Sequence, residues 1–175
     1  MYKIETERLI FTPLTLNDVS NTYLEWLLDP EVNRYLEVRH YKHTIKSLYQ
    51  YVENINSNCN NHFFKIIMKS TEEHIGNIKV SVEDYQVGDI GIMIGAKNYW
   101  GKGIGSESIN AITNWAFNNL KLKKMKAGCY EQNLASLRAF LKCGYVVEGF
   151  LQSHVVIDGK RCGCFLLGRV FQEIL

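Results

Sequence analysis

The 175 residues are 46% apolar and 22% charged, the proportions of one soluble globular domain running over 1–175. Twenty basic against 18 acidic residues leave a net charge of +2, too balanced to mark a nucleic-acid or membrane-surface binder. No apolar run reaches membrane-spanning length, and the opening MYKIETERLI puts charges where a signal peptide needs its apolar core, so the expected location is cytoplasmic.

In chain order, residues 8–13 (RLIFTP) read as a strand. Thr15 and Asp18 form a capping-box pattern, which predicts a helix with Val19, Tyr23, Trp26 and Leu27 on one stripe and Pro30 as its stop. Thr44 caps a second helix, with Ile45, Leu48, Val52 and Ile55 facing inward, and NSNCNN (56–61) is a loop. Strands follow at 62–69, 75–83 and 87–95. In the last of these Ile90, Ile92 and Ile94 share one face, while Asp89, Gly91 and Met93 share the other. After a glycine-rich stretch, Ile109, Ile112, Trp115 and Ala116 make a helical stripe that runs out near Leu120. Residues 124–130 read as a strand, and Asn133 to Cys143 as a helix with Leu134, Leu137 and Leu141 on one face and Gly144 at its C-terminal cap. Strands at 145–156 and 161–171 close the chain through the hairpin turn IDGK. This order predicts a mixed α/β fold with a partly parallel sheet. The five cysteines are odd in number and form no CxxC pair, so reduced thiols are expected. Cys162 and Cys164 share a strand face, but no second Cys or His pair completes a site, so no metal is expected.

The stretch NYWGKGIGSESI (98–109) sets Gly101, Gly103 and Gly105 between a strand and a helix. It lacks the GxxxxGK-Ser/Thr spacing of a P-loop, and Ser106 stands where a dinucleotide fingerprint needs its third glycine. What remains is a turn that aims free backbone N–H groups and the positive helix end at an anion. The helix dipole adds only ~0.3–1 kcal/mol at an exposed site. Each amide hydrogen bond to a charged oxygen adds ~1.5–3 kcal/mol, and glycine lets the ligand reach the backbone.

YWGKGIGSE resembles the acyl-CoA pyrophosphate loop of the GNAT acetyltransferase superfamily, whose pattern is Arg/Gln-x-x-Gly-x-Gly/Ala, with Trp100 where that pattern has Arg or Gln. The WGKG form is usual in the RimJ/RimL-like branch. TERLIFTPLTLNDV, DPEVNRYL, DIGIMIGAKNYWGKG and NLASLRAFLKCGYVVEG resemble successive elements of that branch, so the likeness covers nearly the whole chain. It implies a GNAT-like central mixed twisted sheet of about seven strands flanked by about four helices. It also implies acetyl-CoA as co-substrate, an N-acetyltransferase activity, and a small-molecule or peptide amine as partner. Dimers are common in the family, which makes a homodimer the assembly to consider.

Residue by residue, the resemblance assigns the CoA pyrophosphate to the backbone of Gly101, Lys102, Gly103, Ile104, Gly105 and Ser106, with Lys102 adding charge. Met93 and Ile94 would pair through their backbone with the pantetheine arm and the acetyl carbonyl, and Asn133 would contact the pantetheine from the other side. Asn133 is equally an N-cap by its position. Asp89 stands where the family often has Glu and is the candidate base. Glu83, Glu148 and His154 are lesser candidates. Many relatives carry a tyrosine seven residues after the matching asparagine; here that position is Phe140, which cannot donate a proton. Ser136, one turn earlier, matches the serine proposed in RimL-like members to protonate the thiolate, with Tyr130 and Tyr145 as alternatives. Lys121, Lys123, Lys124 and Lys126 could meet the CoA 3′-phosphate or simply be a solvated helix end. Trp26, Tyr35, Tyr41, Tyr49 and Tyr51 fall in the segment that lines the acceptor side in this family. Acetyl transfer needs a neutral amine; at pH 7 that costs ~1 kcal/mol for an α-amine and ~4.6 kcal/mol for lysine. The acceptors expected are a protein α-amino terminus or a nucleotide-linked amino sugar. The non-enzymatic alternative is an acyl-CoA-binding sensor module with impaired catalysis.

Overall fold

The computed structural model describes residues 3–172. Among them eight strands form one sheet: β1 (Ile4–Glu5), β2 (Leu9–Pro13), β3 (Asn61–Met68), β4 (His74–Glu83), β5 (Val87–Ile94), β6 (Lys124–Tyr130), β7 (Val146–Ile157) and β8 (Lys160–Val170). Their order is β1-β2-β3-β4-β5-β6-β8-β7. Each adjacent pair is antiparallel except β5 and β6, which run parallel. A parallel pair needs a crossover, and the helix α4 (Ile104–Asn119) supplies it.

Five helices cover the sheet. α1 (Asn21–Leu28), α2 (Pro30–Asn33) and α3 (Ile45–Ser57) occupy the N-terminal half, and α5 (Leu134–Lys142) follows β6. α1 and α3 pack on the face that carries Phe63 and Gly95: Tyr51 meets Phe63 at 6.1 Å, and Trp26 lies over Gly95. α4 packs on the opposite face, where Trp115 meets Phe64 at 5.0 Å. It buries Ile104, Ile109, Ile112 and Ala116, and each large apolar side chain so buried contributes ~1.5–3 kcal/mol before entropy is subtracted.

The mixed α/β class and the seven expected strands are present, and an eighth, β1, joins them at the edge. Two residues are too few to carry an alternation signal. The start of the first helix also differs. The Asp18 carboxylate accepts from the Thr15 N–H at 2.7 Å and hydroxyl at 2.8 Å, but this box closes only a single 3-10 turn (Leu16–Asp18). Ser20 caps α1 instead, accepting from the Tyr23 N–H at 3.2 Å. Pro30 does not merely end α1; it opens α2, because the first helical position has no N–H bond to lose. On α5 the leucine stripe is divided: Leu137 packs against the core, Leu134 and Leu141 are exposed, and the buried residue is Phe140, edge-on to Tyr145 at 5.0 Å. All five cysteines are free thiols; Cys59 is exposed and the others are buried.

At Gly95 the Trp26 ring of α1 presses on the backbone at the end of β5. A Cβ there would lie 2.0 Å from the Trp26 ring. Gly95→Ala is expected to cost ~1–3 kcal/mol through overpacking. For a chain of this size that lowers the melting temperature by about 3–10 °C, read by calorimetry.

Candidate active site

The parallel ladder between β5 and β6 is short. It pairs Val87 with Lys124, Gly88 with Met125 and Asp89 with Lys126, and ends there. β5 continues to Ile94 against β4, and β6 continues to Tyr130 against β8. The two strands therefore part into a gap with an open backbone edge on each bank. Gly95 N–H donates to Ile75 on β4 at 2.9 Å. Because strand residues alternate, Ile94 turns its carbonyl the other way, where it accepts from the Trp100 indole N–H at 2.7 Å. Met93 sits opposite Asn77 on β4 and lines a cavity on the α1–α3 face.

At the wide end of the gap stands the glycine loop. Gly101 (φ +72°) and Gly103 (φ +78°) adopt left-handed backbone, which glycine enters without strain. Gly103 is the N-cap of α4 and offers no side chain, so the first-turn amides of Ile104, Gly105 and Ser106 have no side-chain cap. A Cβ at Gly101 or Gly105 would meet nothing within 4 Å, so the loop is open on its outer side. The loop is braced from the far end of the sheet. Arg8 donates to the Lys102 carbonyl at 2.9 Å and to Glu107 on α4 at 2.7 Å. Glu107 also accepts from the Thr6 hydroxyl at 2.5 Å and the Arg8 backbone N–H at 3.0 Å. Burial alone would raise the Glu107 pKa, yet these donors and the guanidinium charge hold it below the usual carboxylate range. Arg8, Lys102, Ser106, Asn110, Lys142 and Arg169 line a polar groove of ≈ 1110 Å³ beside the loop. Arg8 and Glu107 were not singled out by sequence reasoning. They lie 99 positions apart, and only the glutamate's place after the glycine run hints at a role.

On the other bank, Asn133 caps α5 by accepting from the Ser136 N–H at 3.2 Å. The Ser136 hydroxyl faces the Cys129 thiol on β6; burial pushes that thiol's pKa up, and the serine contact offsets part of the rise. Phe140 is buried against Tyr145. Tyr145 shares a 2.7 Å hydrogen bond with Thr113, and burial raises its hydroxyl's pKa, an effect this bond partly offsets. Tyr130 lies under the Arg39 guanidinium, 5.2 Å from its ring.

Asp89 sits at the apex where the strands part, half-buried on the α1–α3 face beside Ser81 on β4 and Lys126 on β6. Burial raises its carboxyl's pKa; Lys126 and Lys79 pull it down and Glu83 pushes it up. The lesser carboxylates are engaged: Glu83 pairs with Lys126 at 2.8 Å and Glu148 with Lys124 at 2.7 Å. These pairs also account for two of the four lysines of the basic run. His154 is exposed on β7. Of the aromatic set, Tyr41 and Tyr51 line the cavity on this face, of ≈ 710 Å³, while Trp26 is core. Among the described residues no group of three or more His, Cys, Asp or Glu could hold a metal ion, and no helix is long and apolar enough to cross a membrane.

Glu107 carries a pH dependence whose sign follows from its lowered pKa. The stability it supplies is fully present above its ordinary value of 4.5 and is lost as pH falls through its lower folded value. Urea melts between pH 6 and pH 3 are expected to show a shallower acid loss for Glu107→Gln than for the wild type.

A family model described as an acetyltransferase (GNAT) domain matches residues 8–146. The chain is 25% identical to an uncharacterized N-acetyltransferase, p20, of Bacillus licheniformis, over 99% of this chain and 98% of that one. Among solved structures, the spermidine N-acetyltransferase of Vibrio cholerae in complex with CoA and spermine superposes with a TM-score of 0.84 at 18% identity, covering 94% of this chain and 96% of that one. The ribosomal-protein α-N acetyltransferase RimL in complex with coenzyme A gives 0.86 at 15% identity, covering 97% and 98%. At those identities the two structures establish a common fold. The family match spans well over half the chain and includes the parted strands, the glycine loop and the start of the last helix, and this chain therefore belongs to the GNAT acetyltransferases and is an N-acetyltransferase.

Proposed function

We propose that this enzyme transfers the acetyl group of acetyl-CoA directly to a primary amine in a ternary complex. The observation that carries the reading is the gap between β5 and β6, with an uncapped helix N-terminus at its wide end and a cavity on the face of Asp89. In this reading the amides of residues 101–106 take the pyrophosphate, Lys102 and Arg8 add positive charge, and the open edge at Ile94 together with Asn133 flanks the pantetheine arm. The CoA- and acetyl-CoA-bound neighbours support that donor. The spermidine and ribosomal-protein enzymes among them support an amine as acceptor.

The chain's own chemistry is then simple. The acceptor nitrogen forms the new C–N bond as the C–S bond breaks. Asp89, acting through water, takes the proton that the nitrogen loses. Ser136 gives its hydroxyl proton to the departing sulfur and is reprotonated from water, while Asp89 returns the amine proton to water, so the products are the N-acetyl amine and the free thiol. A half-buried carboxylate with a raised pKa is a stronger base than an exposed aspartate. An α-amine, or the amino group of a nucleotide-linked sugar, asks less of such a base than lysine does. A second reading, an acyl-CoA-binding module with impaired catalysis, draws on Phe140, which stands where relatives carry a tyrosine and is buried against Tyr145.

Thiol release from acetyl-CoA with a panel of primary amines tests the two. Turnover is expected. Asp89→Asn should lower kcat by about 10²–10³-fold and abolish the acidic limb of the pH profile, with acetyl-CoA affinity unchanged. The wild-type limb should fall as pH drops through a value above 3.8, since the charged carboxylate is the active form. Ser136→Ala should lower kcat with KM unchanged. Tight acetyl-CoA binding with no thiol released on any amine would instead establish the binding module.

A further inference from the structure

Asn77 is 4% exposed, and it lines the floor of the ≈ 710 Å³ cavity on the Asp89 face. Its orientation is set by His74. The His74 Nε2 lies 3.1 Å from the Gly76 carbonyl, so it carries a hydrogen, and the Asn77 atom 2.8 Å away from it is the acceptor Oδ1. The amide nitrogen therefore points away from His74, and among the described residues it makes no hydrogen bond of ordinary length. The hydroxyl of Tyr23, also on the cavity wall, accepts weakly from one of its two N–H groups, which offsets part of the pKa rise that burial causes there and leaves the other N–H unpaired. A buried donor left unpaired is costly and asks for an acceptor atom.

The rest of the cavity narrows what brings that atom. Tyr23, Leu27, Leu48, Tyr51, Phe63 and Met93 make its walls largely apolar. Lys79, one register pair along from Asn77's neighbour on β4, faces the same side and forms no ion pair within 4 Å among the described residues. Lys42 adds a second positive charge at the rim. The one carboxylate, Glu37, is exposed and lies 3.6 Å from the Arg39 guanidinium. Apart from Asp89, the proposed base on the same face, a polyamine would meet two cations and no free anion here.

We infer that Asn77 and Lys79 are specificity-determining residues, and that the acceptor is a monoamine with an apolar body and a carboxylate or carbonyl oxygen near the amine. The inference deepens the acetyl-transfer reading above and rests on it. The oxygen meets the Asn77 amide and the Lys79 ammonium, the body lies against Tyr51 and Phe63, and the amine is turned toward Gly91 and the gap. A Cβ at Gly91 would meet nothing within 4 Å, so that side of β5 is open to it.

Thiol release with L-phenylalanine, L-phenylalaninamide and spermidine tests this. Either phenylalanine compound should exceed spermidine in kcat/KM by at least tenfold. A preference for the free acid assigns the oxygen to a carboxylate at Lys79, and a preference for the amide assigns it to a peptide-type carbonyl at Asn77. Asn77→Leu and Lys79→Met should each raise KM for the preferred compound about tenfold, with kcat and the Kd of acetyl-CoA within twofold of wild type. A merely structural role would not produce that split. Spermidine as the better substrate, or an unchanged KM in both variants, overturns the inference and leaves acetyl transfer standing. If no amine releases thiol, the acetyl-transfer reading falls. Calorimetry of L-phenylalaninamide and spermidine on the CoA-loaded protein then decides the inference: amide binding weakened by Asn77→Leu upholds it, and spermidine binding more tightly, or neither binding, overturns it.

Discussion

The structure depends on a parallel ladder that is only three residue pairs long. Where it holds, Gly88 lets Met125 and Leu122 pack directly against β5; a Cβ there would lie 2.7 Å from both side chains. Where it ends, each strand keeps its partner on one side and loses the other. Strand twist then carries β5 away with β4 and β6 away with β8. Unpaired backbone inside a protein is costly unless something satisfies it. One carbonyl, that of Ile94, is satisfied by the Trp100 indole. The remaining edge suits an extended ligand that bonds as a strand would, which is why a break in the ladder also makes a binding slot.

The gap has two faces with different chemistry. On the α4–α5 side lie the uncapped first turn of α4, the basic groove and Ser136. On the α1–α3 side lie Asp89 and the apolar cavity. In the proposed reaction the base and the sulfur partner would therefore act from opposite faces of the sheet. Asp89 keeps its charge environment distinct because its neighbours are paired off. Lys126 is held by Glu83 and Lys124 by Glu148, so among the described residues Asp89 has no full ion-pair partner of its own. A full ion pair would hold the carboxyl low, and burial instead raises it.

What the sequence made legible followed from local signals. Alternation marked β4 and β5, the Asp-Gly turn marked the β7–β8 hairpin, and the glycine run marked the start of α4. The fold family followed from the resemblance. What it hid depends on distance or on competition between local rules. Pro30 satisfies both a helix stop and a helix start, and the contest is settled by the Asp29 side chain, which accepts from the Glu31 N–H at 2.9 Å. The Thr15–Asp18 box and Ser20 compete for one helix, and Ser20 wins because Tyr23, Trp26 and Leu27 must face the sheet. The Asn77 amide was invisible because its burial and its missing partner arise from strand register and from His74 beneath it. The Arg8–Glu107 brace was invisible because its partners lie 99 positions apart.

Trp100 connects these points. At the position where the family pattern has Arg or Gln, the indole brings one donor and no charge, and that donor is already used on Ile94. The side chain therefore stiffens the end of β5 and does not itself bind an anion. The positive charge that an arginine would bring is supplied by Lys102 within the loop and, from outside the motif, by Arg8 through its bonds to the Lys102 carbonyl and Glu107. The same arginine fixes the loop's position and contributes to its field. A loop held in this way needs little rearrangement to receive an anion, since its glycines already occupy left-handed backbone and its first-turn amides already face outward.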